Sequence, residues 1–262
     1  MPDTLTNANI KNAVDDWCAG GSTRTSVLNQ FGDISTWDTS DVSNMDELFY
    51  NKPTFNDDIT GWNTSNVRSM YFMFGYARAF NRDIGGWDTS QVTTMRNMFY
   101  YASAFNQDLN GWVTSSVTNM RNVFGATTVF NQPLNDWDTS IVTDMRFMFY
   151  KTEAFNQPLD KWDTSNVIYM SRMFHLAIAF NQDIGGWNTS GVSEIYDGFY
   201  QMFESADAFN QDLSTWLRPD GINAGNVGSA TNNALGVYTP AAPATPATPA
   251  PICFPKGTPV LT

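Results

Sequence analysis

Histidine, cysteine, basic residues and long apolar runs are all scarce in this 262-residue chain. The two cysteines, Cys18 and Cys253, exclude a disulfide-rich scaffold and lie in segments of different character, so no bridge between them is expected. A single histidine, His175, has no Cys, Asp or Glu near it at ligand spacing, which argues against a metal centre or a histidine-based catalytic site. No apolar run approaches the roughly 18 residues of a membrane span. Lys and Arg number 14 against 26 Asp and Glu, and the net charge of -12 speaks against nucleic acid or an anionic membrane as the main partner. Met1-Pro2-Asp3 shows neither a basic n-region nor an apolar h-region, so no secretory signal is read there. Apolar residues make up 42% and aromatic residues 15%, ample for a core.

That core is periodic. Tryptophan recurs at 37, 62, 87, 112, 137, 162 and 187, at an unvarying interval. Phenylalanine does the same from Phe55 to Phe180, valine from Val42 to Val192, and methionine from Met45 to Met170. A period of this length means a stacked array in which each unit buries its apolar face only against its neighbours. The last unit is out of step: Trp216 follows Trp187 at a longer interval, with the extra four positions between Ile195 and Met202. A bulge or longer helix is expected there.

Within a unit, Val92, Met95, Met98, Phe99 and Ala102 follow one another at spacings of three and four, preceded by Asp88-Thr89-Ser90, which predicts a short helix with a Ser/Thr N-cap. The other half, Phe-Asn-x-Asp/Pro-Ile/Leu-x-x-Trp, carries the glycines and predicts a short extended segment. The expected fold is therefore an α/β repeat solenoid of about eight 25-residue coils, each with a short strand and a short helix. Large and small residues alternate in the column Tyr50, Gly75, Tyr100, Gly125, Tyr150, His175, as they would where one ring covers the gap left by its neighbour.

The ends differ from the middle. Residues 1–30 read as an N-terminal capping helix over the first coil, through Ile10, Val14 and Trp17, and residues 31–216 as the repeat. Residues 217–238, rich in Gly, Asn and Ala, read as a C-terminal cap or irregular segment. Residues 239–251 form a Pro/Ala/Thr linker, which implies something beyond it.

The runs Trp87-Asp88-Thr89-Ser90-Gln91-Val92-Thr93-Thr94-Met95, Met98-Phe99 and Ala102-Ser103-Ala104-Phe105-Asn106-Gln107-Asp108-Leu109 resemble the DUF285 repeat of BspA-like leucine-rich-repeat surface proteins, in register over about residues 31–216. The resemblance implies a leucine-rich-repeat-like solenoid with a binding or adhesion role on a cell or virion surface, extracellular and not enzymatic. It leaves the ligand open, either a protein or a glycan. The Phe-Asn-Gln segment, where many relatives have leucines, and the four-residue insertion depart from the family pattern. Residues 252–262, with Cys253-Phe254-Pro255-Lys256-Gly257-Thr258, resemble the opening of a Hint domain, the self-processing module of inteins and hedgehog-type proteins. There Cys253 would be the nucleophile that attacks the Ile252 carbonyl. The later histidine-bearing block is not in the chain, so the chain alone is expected to be catalytically inert. The alternative function is thus the binding half of a precursor cleaved after Ile252.

Other candidates reduce to packing or capping. The Asp/Asn after each Trp (Asp38, Asn63, Asp88, Asp138, Asp163, Asn188) is interrupted by Val113 and reads as a cap rather than a calcium ladder, and the threonine column beside it as N-caps rather than an ice-binding face. No metal or cofactor is expected, and a monomeric solenoid is. One surface column is not explained by packing: Arg96, Arg121 and Arg146, on three successive units. Arginines so placed can engage carboxylate or sulfate groups of a glycan or an acidic protein. On packed helices they would stand about 10 Å apart on a solvated face.

Overall fold

The computed structural model describes residues 4–193 and 198–216. Successive units lie on one another in parallel register. Single parallel bridges join Asn44, Ser69, Thr94, Asn119, Asp144 and Tyr169 in one continuous column. Among the described residues the only helices are α1 (Ile10–Ala19), α2 (Gly21–Phe31) and a 3-10 turn at Ile34–Thr36, and no helix is long and apolar enough to cross a membrane.

Among the described residues the short helix expected in each unit does not form, and neither does a strand on the Phe-Asn segment. Between Met95 and Ala102 the backbone N–H groups alternate in destination. Those of Met95, Asn97, Phe99 and Tyr101 donate to the next unit, to the carbonyls of Asn119, Arg121, Val123 and Gly125 at 3.2, 2.9, 2.9 and 2.9 Å. Those of Met98, Tyr100 and Ala102 donate three residues back, to Met95, Asn97 and Phe99, at 3.0, 3.1 and 2.9 Å. Every second donor is spent on the neighbouring unit, which an α-helix, whose donors all point along its own axis, does not allow. The chain achieves this by a left-handed residue at two places in each unit, Asn97 (φ 59) and Tyr101 (φ 60) here and their equivalents elsewhere, none of them glycine. Each such residue costs about 1–2 kcal/mol, which the inter-unit hydrogen bonds and buried core offset.

The core is a set of aromatic columns. Phe99 stacks on Phe74 and Phe124 with ring centres 5.6 and 5.7 Å apart, and on Phe105 of its own unit at 4.1 Å. Each Trp from Trp62 to Trp187 donates its indole N–H to the Ile or Leu carbonyl of the previous unit, as Trp112 does to Ile84 at 3.0 Å. Two polar columns complete the stack. The threonines, at most 2 % exposed, donate Oγ1–H to the next unit's backbone, Thr89 to Val113 O at 2.9 Å and Thr114 to Asp138 O at 2.9 Å, so they tie units together rather than cap helices. In the Phe-Asn-Gln segment each Asn Oδ1 accepts the backbone N–H of the Asn one unit on, Asn81 from Asn106 and Asn106 from Asn131 at 2.9 Å, and Gln side chains donate to the same oxygens. The Asp/Asn after Trp accepts the N–H two residues on, as Asp88 does from Ser90 at 2.9 Å, closing an Asx turn. Ser90's hydroxyl and N–H hold the Asp88 carboxyl below its ordinary range.

Capping at the amino end follows the same accounting. In each inner unit the N–H equivalent to Ser43 donates to the unit before it, as Arg68 does to Ser43 O and Thr93 to Arg68 O. Ser43 and Asn44 instead donate to Asn7 Oδ1, at 2.9 and 3.1 Å. The expected single capping helix is two, divided at Gly20 and Gly21 (φ 74 and 58), and its N-cap Asn9 makes no side-chain cap. Trp17 packs edge-on against Trp37 and donates to Asp57 Oδ2 at 2.8 Å. Cys18, half-buried against the core, has its thiol pKa pushed up to about 11 by burial. At the other end, the insertion falls partly on residues 194–197, outside the described residues. Pairing resumes four residues later, with Arg172 N–H on Tyr200 O and Phe174 N–H on Met202 O. The cap, linker and Hint-like segments expected over 217–262 also lie outside the described residues.

Candidate binding site

The turn segment that replaces the expected helix also carries the outward aromatic and basic side chains. Every tyrosine among the described residues sits there: Tyr50, Tyr71, Tyr76, Tyr100, Tyr101, Tyr150, Tyr169 and Tyr200. So do Phe72, Phe147, Arg96, Arg121, Arg146, Arg172 and His175. Close packing shapes this surface. A Cβ at Gly75 would fall 2.5 Å from Phe72 Cδ1 and 3.2 Å from Tyr50 Cδ2, and one at Gly125 would fall 1.9 Å from Asn122 Oδ1 and 3.1 Å from Tyr100 Cδ2. The alternation of Tyr and Gly is therefore steric, ring over glycine.

Arg96, Arg121 and Arg146 occupy adjacent bridged segments, whose backbones run about 4.8 Å apart, not neighbouring helices. At that spacing like charges repel, and the three are accommodated differently. Arg146 is held by Asp144 through two bonds, Nε–H to Oδ1 at 3.0 Å and Nη2–H to Oδ2 at 2.6 Å, which raise its pKa further; its guanidinium lies 4.5 Å from the Tyr169 ring. Arg96 lies 5.5 Å from the Tyr71 ring, with Nε buried and unpaired among the described residues. Arg121 lies 5.6 Å from the Phe147 ring, and burial, with Arg146 and Arg96 nearby, presses its pKa down. All three are half-buried, not on the solvated face expected from helix packing.

Of the three, Arg121 alone lines a cleft of about 490 Å³, together with Tyr100, Asn122, Phe147, Tyr150, Arg172, His175, Gln201 and Glu204. Arg172 lies 5.5 Å from the ring of Phe147 and donates Nε–H to Gln201 Oε1 at 2.6 Å, so one ring is shared by two guanidiniums. His175 stacks on Tyr150 at 5.5 Å. Its Nδ1 is 3.2 Å from Glu204 Oε2, within ion-pair distance but not aligned for a hydrogen bond, and burial keeps its pKa below the ordinary value despite that carboxylate. Sequence spacing hides this acidic neighbour, because Glu204 arrives in the His175 column only through the four-residue insertion. Cys253 lies outside the described residues. Among the described residues no group of three or more His, Cys, Asp or Glu is placed to hold a metal ion.

A parallel stack of near-identical units with one Tyr/Arg-lined surface defines a repeat protein. The chain belongs to the family described as "Mycoplasma protein of unknown function, DUF285", whose model matches at residues 22–137 and again at 118–234, together more than half of the chain. Comparison with curated proteins and with solved structures gave no match.

Proposed function

We propose that this chain is a non-enzymatic binding and adhesion module, a leucine-rich-repeat-like solenoid of BspA-like type that acts as a monomer on a cell or virion surface and grips a protein or glycan. The observation that carries this reading is the collection of tyrosine and arginine on one segment of each unit, outside the shared core. These two residue types contribute most to binding surfaces, because a ring brings large area at little conformational cost and a guanidinium brings directed donors. The leucine-rich-repeat assignment draws support from the parallel bridges, which recur once per unit from Asn44 to Tyr169.

Fluorescent beads coated with the chain should be retained on host-cell monolayers or on surfaces coated with matrix proteins. Replacing Arg96, Arg121 and Arg146 together with Gln should cut retention several-fold; it also strands the buried carboxylate of Asp144 and so lowers the melting temperature, and a retained cooperative melt shows that the variant still folds. Beads retained nowhere, or retained equally by the triple variant, would remove this surface from the reading.

The second reading, a self-processing precursor, is supported by the sequence from Cys253 to Thr262. Expressed with whatever sequence is encoded beyond Thr262, the chain should break after Ile252 under thiol treatment, and Cys253→Ala should block the break. An intact mass for the untreated and treated protein alike removes that reading.

A further inference from the structure

We infer that the cleft between Arg121 and Glu204 is a subsite for an acidic saccharide, a hydroxylated ring bearing a carboxylate. The inference rests on the surface-binding reading and specifies where on that surface, and by what chemistry, a ligand is held.

Charge is the first consideration. Arg121 and Arg172 flank the Phe147 ring at 5.6 and 5.5 Å, so their separation cannot exceed the sum of those two distances. Against them stands one carboxylate, Glu204, beside a histidine whose burial favours the neutral ring. The balance favours a ligand with one negative charge. Arg146, though near, is engaged by Asp144 at 2.6 Å and is not the group that meets it.

Polar complementarity is the second. Three buried polar atoms that line the cleft, Asn122 Oδ1, His175 Nδ1 and Glu204 Oε2, have no aligned hydrogen-bond partner among the described residues, the last two facing each other at 3.2 Å. A buried polar atom left unpaired loses its water without a replacement, so a ligand that pairs such atoms binds with that advantage. A bare inorganic anion brings acceptors only and leaves Asn122 and Glu204 unpaired. A polyhydroxylated ring brings donors and acceptors on every side, and its carboxylate meets a guanidinium fork. A cavity of about 490 Å³ is within the range of small-ligand sites and takes a short oligosaccharide.

The test uses the whole chain against immobilised oligosaccharides ending in glucuronate or sialate, neutral counterparts ending in glucose or galactose, and a peptide with a free C-terminal carboxylate. Acidic sugars should bind at least tenfold more tightly than their neutral counterparts and than the peptide. Arg121→Gln with Arg172→Gln should lose at least tenfold on the acidic sugars, whereas Arg68→Gln with Arg82→Gln, which leaves the cleft intact, should not. Retained cooperative melting shows that the double variant still folds; if it does not, Arg172→Gln alone, which leaves Arg121 on Phe147, should show a several-fold loss. Equal binding of acidic and neutral sugars, preference for the peptide, or an unaffected folded cleft variant overturns the inference. Bead retention separates the two levels: if the cleft variant still adheres to cells like the wild type, the subsite is wrong and the adhesion reading stands. If the wild type adheres nowhere, the adhesion reading falls by itself.

Discussion

Replacing Trp112 with alanine should lower the free energy of unfolding by about 3–5 kcal/mol, as expected for deleting a large ring from a packed core. The ring is 3 % exposed and stacks on Phe99 and Trp137, at 6.3 and 6.4 Å, so its loss opens a cavity shared by two units. Trp112→Phe separates area from hydrogen bonding. It keeps most of the ring and removes the indole donor to Ile84 O, a carbonyl that also accepts from the Trp87 N–H at 3.1 Å and is therefore not orphaned. That variant should lose only about 0.5–1.5 kcal/mol beyond the lost area. Urea titration followed by circular dichroism measures both. A loss below about 1 kcal/mol for the alanine variant would mean that the column does not hold the stack together.

The damage should also travel. Each unit's stability is the sum of its own contacts and its two interfaces, so weakening one interior unit exposes both neighbours. The end of the array is buffered differently, because Trp17, Asn7 and the α1–α2 pair cover its first unit.

What could be read from the sequence was the column structure. A side chain that recurs once in every period must occupy an equivalent place in every unit, whatever local path connects them, so the Trp, Phe, Val and Met columns belong to the core whatever the backbone does. The local path is not legible, because Val92, Met95, Met98, Phe99 and Ala102 have the spacing of a helix. Turns closing three residues back reproduce that spacing, and periodicity cannot separate the two. A second signal was present in the residues at the left-handed positions: Glu47, Phe72, Asn97, Asn122, Phe147, Arg172 and Gln201 in one column, Asn51, Tyr76, Tyr101, Ala126, Lys151, Leu176 and Ser205 in the other. Neither column contains valine, isoleucine or threonine, the residues that left-handed backbone tolerates least. The cleft was harder to see. Arg121 stands out in its column, but Arg172 sits one position out of that column, where Ser171 stands, and Gln201 and Glu204 join it only across an insertion that breaks the period. The pairing of Arg146 with Asp144, two residues back, was open to view and would have separated it from Arg121.

Those left-handed columns give the second large effect, at Ala126. Its φ is 56, it is 2 % exposed, and its N–H donates to Tyr150 O at 2.6 Å, so the residue has no room to change conformation without giving up an inter-unit bond. Ala126→Val places a branched Cβ in that backbone and two further carbons in a filled space, and should destabilise by roughly 2–4 kcal/mol. Ala126→Gly acts in the opposite sense. It removes the left-handed penalty of about 1–2 kcal/mol and gives back about 0.4–1 kcal/mol through greater freedom of the unfolded chain. The glycine variant should therefore be as stable as the parent or slightly more so, although glycine weakens most regular structure. The sign of the difference between the two variants distinguishes this backbone from the helix that its spacing imitates. In a helix, glycine would cost about 1 kcal/mol relative to alanine and valine well under that. Thermal melts of the two variants side by side decide it: valine melting above glycine would return the segment to a helix, and glycine well above valine fixes it as a ladder of turns.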